Sequence, residues 1–121
     1  MKTTISQRTI FEDIFARSTE DWVSDGEIHS LVMTRTGEID PTTARSMALG
    51  VIVERIMREW MIPTTYNTSW NIDPWEAVRR IEDAWWKGRD RVGYLDIVQF
   101  IPTSEALEVG RAVLRGEDWD A

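Results

Sequence analysis

Residues 24–47 read SDGEIHSLVMTRTGEIDPTTARSM, and the way this stretch folds decides the reading of the whole chain. Ser24-x-x-Glu27 has the spacing of a capping box. The serine hydroxyl accepts from the N3 backbone N–H, and the N3 glutamate reaches back to the N-cap N–H. Ile28, Leu31 and Val32 follow at helical intervals and form one apolar face, while His29 and Ser30 fall away from it. Thr34-Arg35-Thr36-Gly37 breaks the pattern, and Gly37 suits the left-handed residue that follows a helix end. Asp40-Pro41 is an N-cap followed by proline at the first helical position, where its missing N–H costs nothing. The stretch therefore reads as two capped helices joined by a glycine-bearing turn.

Upstream, Thr4-x-x-Gln7 is a further capping box, and Ile10, Phe11, Ile14 and Phe15 form a helical stripe. A helix over Ile5–Arg17 is expected, with Glu12 and Asp13 facing water. Downstream, the helix from Pro41 is expected to reach Trp60, a length of about 30 Å. Its apolar residues occupy two sides: Ala44, Met47, Ala48, Val51 and Ile52 on one, Leu49, Val53, Ile56 and Trp60 on the other. A narrow polar stripe of Glu54, Arg55, Arg58 and Glu59 remains. Such a helix is read as central and packed by several neighbours, with Gly50 offering room for a close approach.

The Thr-, Tyr- and Trp-rich segment Met61–Ile72 reads as extended chain. Asp73-Pro74 repeats the cap-plus-proline device, and Glu76 completes its box. A helix over Pro74–Lys87 follows, with Val78, Ile81 and Trp85 inward and Gly88 as the stop. Tyr94–Ile101 (YLDIVQFI) is the best strand in the chain, ending at Pro102. Thr103 or Ser104 then caps a last helix to about Arg115, in which Ala106, Leu107, Gly110, Val113 and Leu114 are expected to pack. Residues 116–121 form an acidic tail, expected to fray unless Trp119 docks. The pattern as a whole is mainly α with a small β ribbon, an α+β fold, in a single domain over residues 1–121.

Composition narrows the classes of function. The chain has 121 residues, 42% hydrophobic and 29% charged, enough for one core. No apolar run approaches the roughly 18 residues of a membrane span, and the N-terminus lacks the apolar core of a secretory signal. Cysteine is absent, so disulfides and thiolate chemistry are excluded. A cytoplasmic protein without membrane contact is expected. The net charge is −7, but it is unevenly spread. Residues 1–33 carry 3 basic and 6 acidic groups, residues 92–121 carry 2 and 6, and residues 34–91 are neutral with 9 of each. Overall charge opposes attraction to phosphate, while the neutral middle leaves room for a local basic strip. Seven tryptophans and 12 arginines supply the residue types enriched at binding hot spots.

Ile39-Asp40-Pro41-Thr42-Thr43-Ala44-Arg45, preceded by Gly37, resembles the start of the recognition helix in winged helix-turn-helix proteins. The order helix, helix, turn, helix, strand, strand is similar as well, and Val98–Leu114 resembles a second wing strand leading into a closing helix. Glu38, between Gly37 and Ile39, makes the turn one residue longer than that family's spacing. The third helix is also longer, and helix 74–87 is inserted before the last strand. The resemblance implies a winged-helix-like fold with a helical insertion. It places Thr42, Thr43, Arg45 and Ser46 at the groove-facing start of a recognition helix. It places Arg35 near a phosphate and makes Lys87, Arg89 and Arg91 a wing-like basic cluster.

Little points to catalysis. His29 is the sole histidine, and adjacent Ser30 cannot face it on a helix. A His/Cys zinc site is excluded by count. Asp21-x-x-x-Asp25-Gly26 matches part of a calcium loop, but Val23 and Val32 stand where side-chain ligands belong. Glu54/Glu59 and Glu82/Asp83 read as solvated surface charge, and no phosphate-binding glycine loop is present. No enzyme activity and no cofactor are expected.

Two readings stand. One is a protein-interaction module, an adaptor or inhibitor, that presents a Trp/Arg-rich surface (Trp70, Trp75, Trp86, Trp119) or an acidic one. Its partner would be another protein or a second copy of the chain. The other is a DNA-binding transcriptional regulator that reads the major groove with the helix starting at Pro41. Net charge favours the first and the motif favours the second.

Overall fold

The computed structural model describes residues 9–65, 68–87 and 97–118. It contains α1 (Ile10–Ser18), β1 (Val23–Ser24), α2 (Asp25–Thr36), α3 (Pro41–Met57), β2 (Met61–Thr65), β3 (Thr68–Ser69), α4 (Pro74–Lys87), β4 (Gln99–Pro102) and α5 (Ser104–Arg115). The chain is mainly helical, with one small antiparallel sheet of order β1-β4-β2-β3. Val23 faces Phe100 across β1 and β4, and Ile62 faces Ile101 across β2 and β4. The last strand thus returns between β1 and β2, and β3 and α4 form an insertion before it.

The quoted stretch folds as its caps dictate. The Ser24 hydroxyl accepts from Glu27 N, and the Glu27 carboxylate accepts from Ser24 N. Gly37 closes α2 at φ 72°, donating its N–H to Met33 O. Asp40 caps α3 by accepting from Thr43 N at 2.9 Å. At the other end of the chain, Thr103 caps α5, and its N–H is pinned to Trp60 O at 3.1 Å.

Four expectations are corrected. Helix α1 starts at Ile10, not Ile5, because Thr9-x-x-Glu12 forms a complete capping box there; the Thr4/Gln7 box lies outside the described residues. Asp13 does not face water: it is buried between Arg17 and Arg35, with Arg35 Nη2 at 3.0 Å. Helix α3 stops at Met57, because Glu59 turns left-handed (φ 60°) and Trp60 folds back, donating its N–H to Arg55 O. That reversal brings the Trp60 ring edge-on to Phe15, with centroids 5.1 Å apart. Finally, α3 buries one face (Ala44, Ala48, Ile52, Arg55, Ile56) rather than its whole girth.

The glycine expected to permit close helix packing is also the wrong one. Gly50 is exposed, with nothing near a Cβ built on it. Gly110 instead lets α5 press on α1: a Cβ there would land on the Phe15 carbonyl and the Thr19 methyl. One core joins α1, α2, α3, α4, the sheet and α5, with Phe15, Ile28, Ile52, Ile81, Trp85 and Phe100 at its centre.

Candidate interaction surfaces

The start of α3 presents Thr42, Thr43 and Ser46 outward. The two threonines flank an acidic cap. Thr43 Oγ1 donates to Asp40 Oδ2 at 2.8 Å, and Arg45 Nη2 donates to Thr42 Oγ1 at 3.2 Å. Hydrogen bonds from Thr43 and the nearby Arg45 charge hold the Asp40 carboxyl below its usual range, so it is an anion at neutral pH. Arg35 does not join this surface. Its guanidinium turns into the seam between α2 and α1, where it binds buried Asp13. Lys87 lies at the end of α4 in an exposed ion pair with Asp83, N–O 2.9 Å. Arg89 and Arg91 lie outside the described residues, as does Trp119. The basic strip expected along this face is therefore reduced to Arg45 among Arg35, Arg45 and Lys87.

The inserted helix α4 carries the other candidate surface. Ala77, Val78, Ile81 and Trp85 face the core. Trp75 and Trp86 point out, 65% and 66% exposed. They stand eleven residues apart, close to three full turns, so both lie on one face about 16 Å apart. Arg79 and Glu82 fall between them on the same arc. A shallow groove runs alongside, lined by Glu76, Arg79, Arg80, Asp83 and Trp86. Trp70 is not part of this face. Its indole N–H donates to Thr65 Oγ1 at 2.7 Å, and the Arg80 guanidinium lies 5.7 Å from its ring centre. Trp70 thus braces the insertion and forms part of the wall of a 560 Å³ groove between the end of α3, β2 and the start of α5.

Beneath α4 lies a polar contact that sequence reasoning missed. Asp25, the first residue of α2, is fully buried. Its carboxylate accepts from Trp85 Nε1 at 2.9 Å and from the backbone N–H groups of Ile97 and Val98 at 3.2 and 3.4 Å. It thereby ties α2, the insertion and the approach to β4 together. Burial pushes this carboxyl up to about 6, outweighing the hydrogen bonds that favour its charged form. Apart from the partial calcium-loop match, nothing in the sequence marks Asp25, since the donors it binds lie 60 or more positions away. His29 is half-buried one turn later, edge-on to Trp85 at 6.4 Å between centroids. Burial and the Arg45 charge lower its pKa, so it is neutral at neutral pH.

Arg55 was expected on the polar stripe of α3 but is 2% exposed. Its guanidinium lies over Phe11 at 3.9 Å and Phe15 at 4.7 Å, so these aromatic faces, together with the Glu54 charge, stabilise its positive charge. Burial lowers its pKa to about 10, which leaves it protonated at neutral pH. Among the described residues, no three His, Cys, Asp or Glu side chains converge on a metal-sized site, and no helix is long and apolar enough to cross a membrane.

No protein-family model, no curated protein and no solved structure matches this chain.

Proposed function

We propose that this chain is a non-enzymatic protein-interaction module, with the outward face of α4 as its contact surface. The observation that carries the reading is the pair Trp75 and Trp86, exposed on one face of an inserted helix with Arg79 between them. Water-exposed indoles are unfavourable unless something covers them, and Trp and Arg are the residues that dominate interface energetics. The scaffold supports this use. Trp85 and Asp25 hold α4 rigidly from below, so a partner meets a preformed surface.

The test is affinity capture with the wild-type chain beside a Trp75→Ala/Trp86→Ala double variant. Both side chains lie outside the core, so the variant is expected to melt like the wild type. It is expected to lose the partner that the wild type retains. Retention of the same partner by both chains would contradict the reading.

The DNA-regulator reading has the winged-helix-like order of elements and the exposed Thr42, Thr43 and Ser46 in its favour. It lacks Arg35, which holds Asp13, and it must overcome a net charge of −7. Binding to mixed-sequence duplex at about 50 mM salt, lost at about 200 mM, would revive it.

A further inference from the structure

We infer that the partner covering the α4 face is a second copy of this chain, docked with the two α4 helices antiparallel about a two-fold axis. The inference rests on the reading of α4 as the contact surface and names its occupant.

The outward stripe of α4 is self-complementary. Trp75, Arg79, Glu82 and Trp86 succeed one another at intervals of four, three and four residues, the spacing of a helix-pairing seam. A two-fold contact must be isologous: whatever one copy presents, the other must answer with the same patch reversed. Reversing this stripe about a point between Arg80 and Ile81 places Trp75 level with Trp86 of the partner subunit. The same operation places Arg79 level with Glu82 of the partner subunit. Each indole then meets an indole and each charge meets its opposite, twice over.

The competing charges do not prevent this. Helix α4 carries Glu76, Glu82 and Asp83 against Arg79, Arg80 and Lys87, so it is neutral in a chain of net charge −7. It is a place where two acidic molecules can approach without repulsion. Arg79 has a long ion pair with Glu76 at 3.7 Å and is 79% exposed, so little is lost when it turns to a new acid. The contact is small, because fourteen residues of helix span only about 21 Å. The dimer is therefore weak and concentration-dependent.

Charge reversal tests it. Sedimentation velocity on the full chain from about 10 μM to about 1 mM covers the range in which so small an interface forms. The wild-type mass is expected to rise towards that of a dimer. Arg79→Glu and Glu82→Arg, each alone, place like charges in both contacts and are expected to weaken the dimer by about tenfold or more. Mixing these two variants restores both attractive pairs, so a heterodimer of wild-type strength is expected. The double variant Arg79→Glu/Glu82→Arg is expected to self-associate again. A chain that stays monomeric at the highest concentration, reversals without effect, or a mixture that fails to associate would each overturn the inference. A monomeric chain whose capture of a different protein depends on Trp75 and Trp86 would overturn the second-copy assignment while leaving the α4 reading intact. A monomeric chain whose capture is indifferent to both tryptophans would overturn both.

Discussion

Asp25 shows how one residue can set the response of the molecule to pH. Its carboxyl titrates near 6 when folded and near 3.8 when exposed, so the folded chain binds more protons between those values. The stability that Asp25 contributes is then greatest below about pH 4, falls as pH rises through this window, and levels off above it. The full difference is about 3 kcal/mol, because each tenfold change in proton affinity is worth about 1.4 kcal/mol. Urea unfolding midpoints between pH 4 and 7 are expected to show this fall in the wild type. Asp25→Asn has no charge to lose, so its slope over the same range is expected to be smaller. Equal slopes in the two proteins would show that Asp25 does not titrate in this window. The mutant's absolute stability is a separate matter, because Asn turns an N–H towards a site lined by donors.

At the scale of elements, caps and turns were legible because they are local. Gly37, Asp40, Thr103 and the start of α4 lie where the sequence places them, since each is decided by side chains within four residues. Patterning placed Gly110 among the packed residues of the last helix, but it could not supply which element an apolar or small residue would meet. Gly50 and Gly110 both sit inside helices, yet only Gly110 lies against a backbone. The difference is the path of α1, which is set by tertiary packing. Gly50→Ala is expected to stabilise the fold by up to about 1 kcal/mol through helix propensity alone. Gly110→Ala is expected to destabilise it clearly, because the Phe15 carbonyl must move. Thermal melts of the two variants check both signs, and a stabilising Gly110→Ala would show that α1 and α5 are not in contact there. Arg55 and Asp13 escaped notice for the same reason: a charged residue at a polar-looking position is read as solvated unless its distant partners are known.

At the scale of the whole molecule, charge and shape divide the surface. Helices α1 and α5, from the two end segments of the chain that carry its excess acid, pack on each other. The neutral middle supplies both α3 and the inserted α4. Trp75 and Trp86 were legible as candidates from residue type, and helical spacing alone could have aligned them. That Trp70 turns inward could not be read, because its partners Thr65 and Arg80 reach it through the folding of the insertion. Of the two candidate surfaces, we take α4 over the start of α3 because Trp75 and Trp86 are exposed on it.

The indole N–H signals of an isotope-labelled chain test that choice most directly. They are followed by NMR as the chain is concentrated and, separately, as duplex DNA is added. Trp75 and Trp86 are expected to shift with protein concentration while buried Trp60 and Trp85 stay still, and duplex DNA is expected to move none of them. Unmoved Trp75 and Trp86, together with DNA-induced shifts at the Thr42, Thr43, Arg45 and Ser46 amides, would contradict the account and place the working surface on α3.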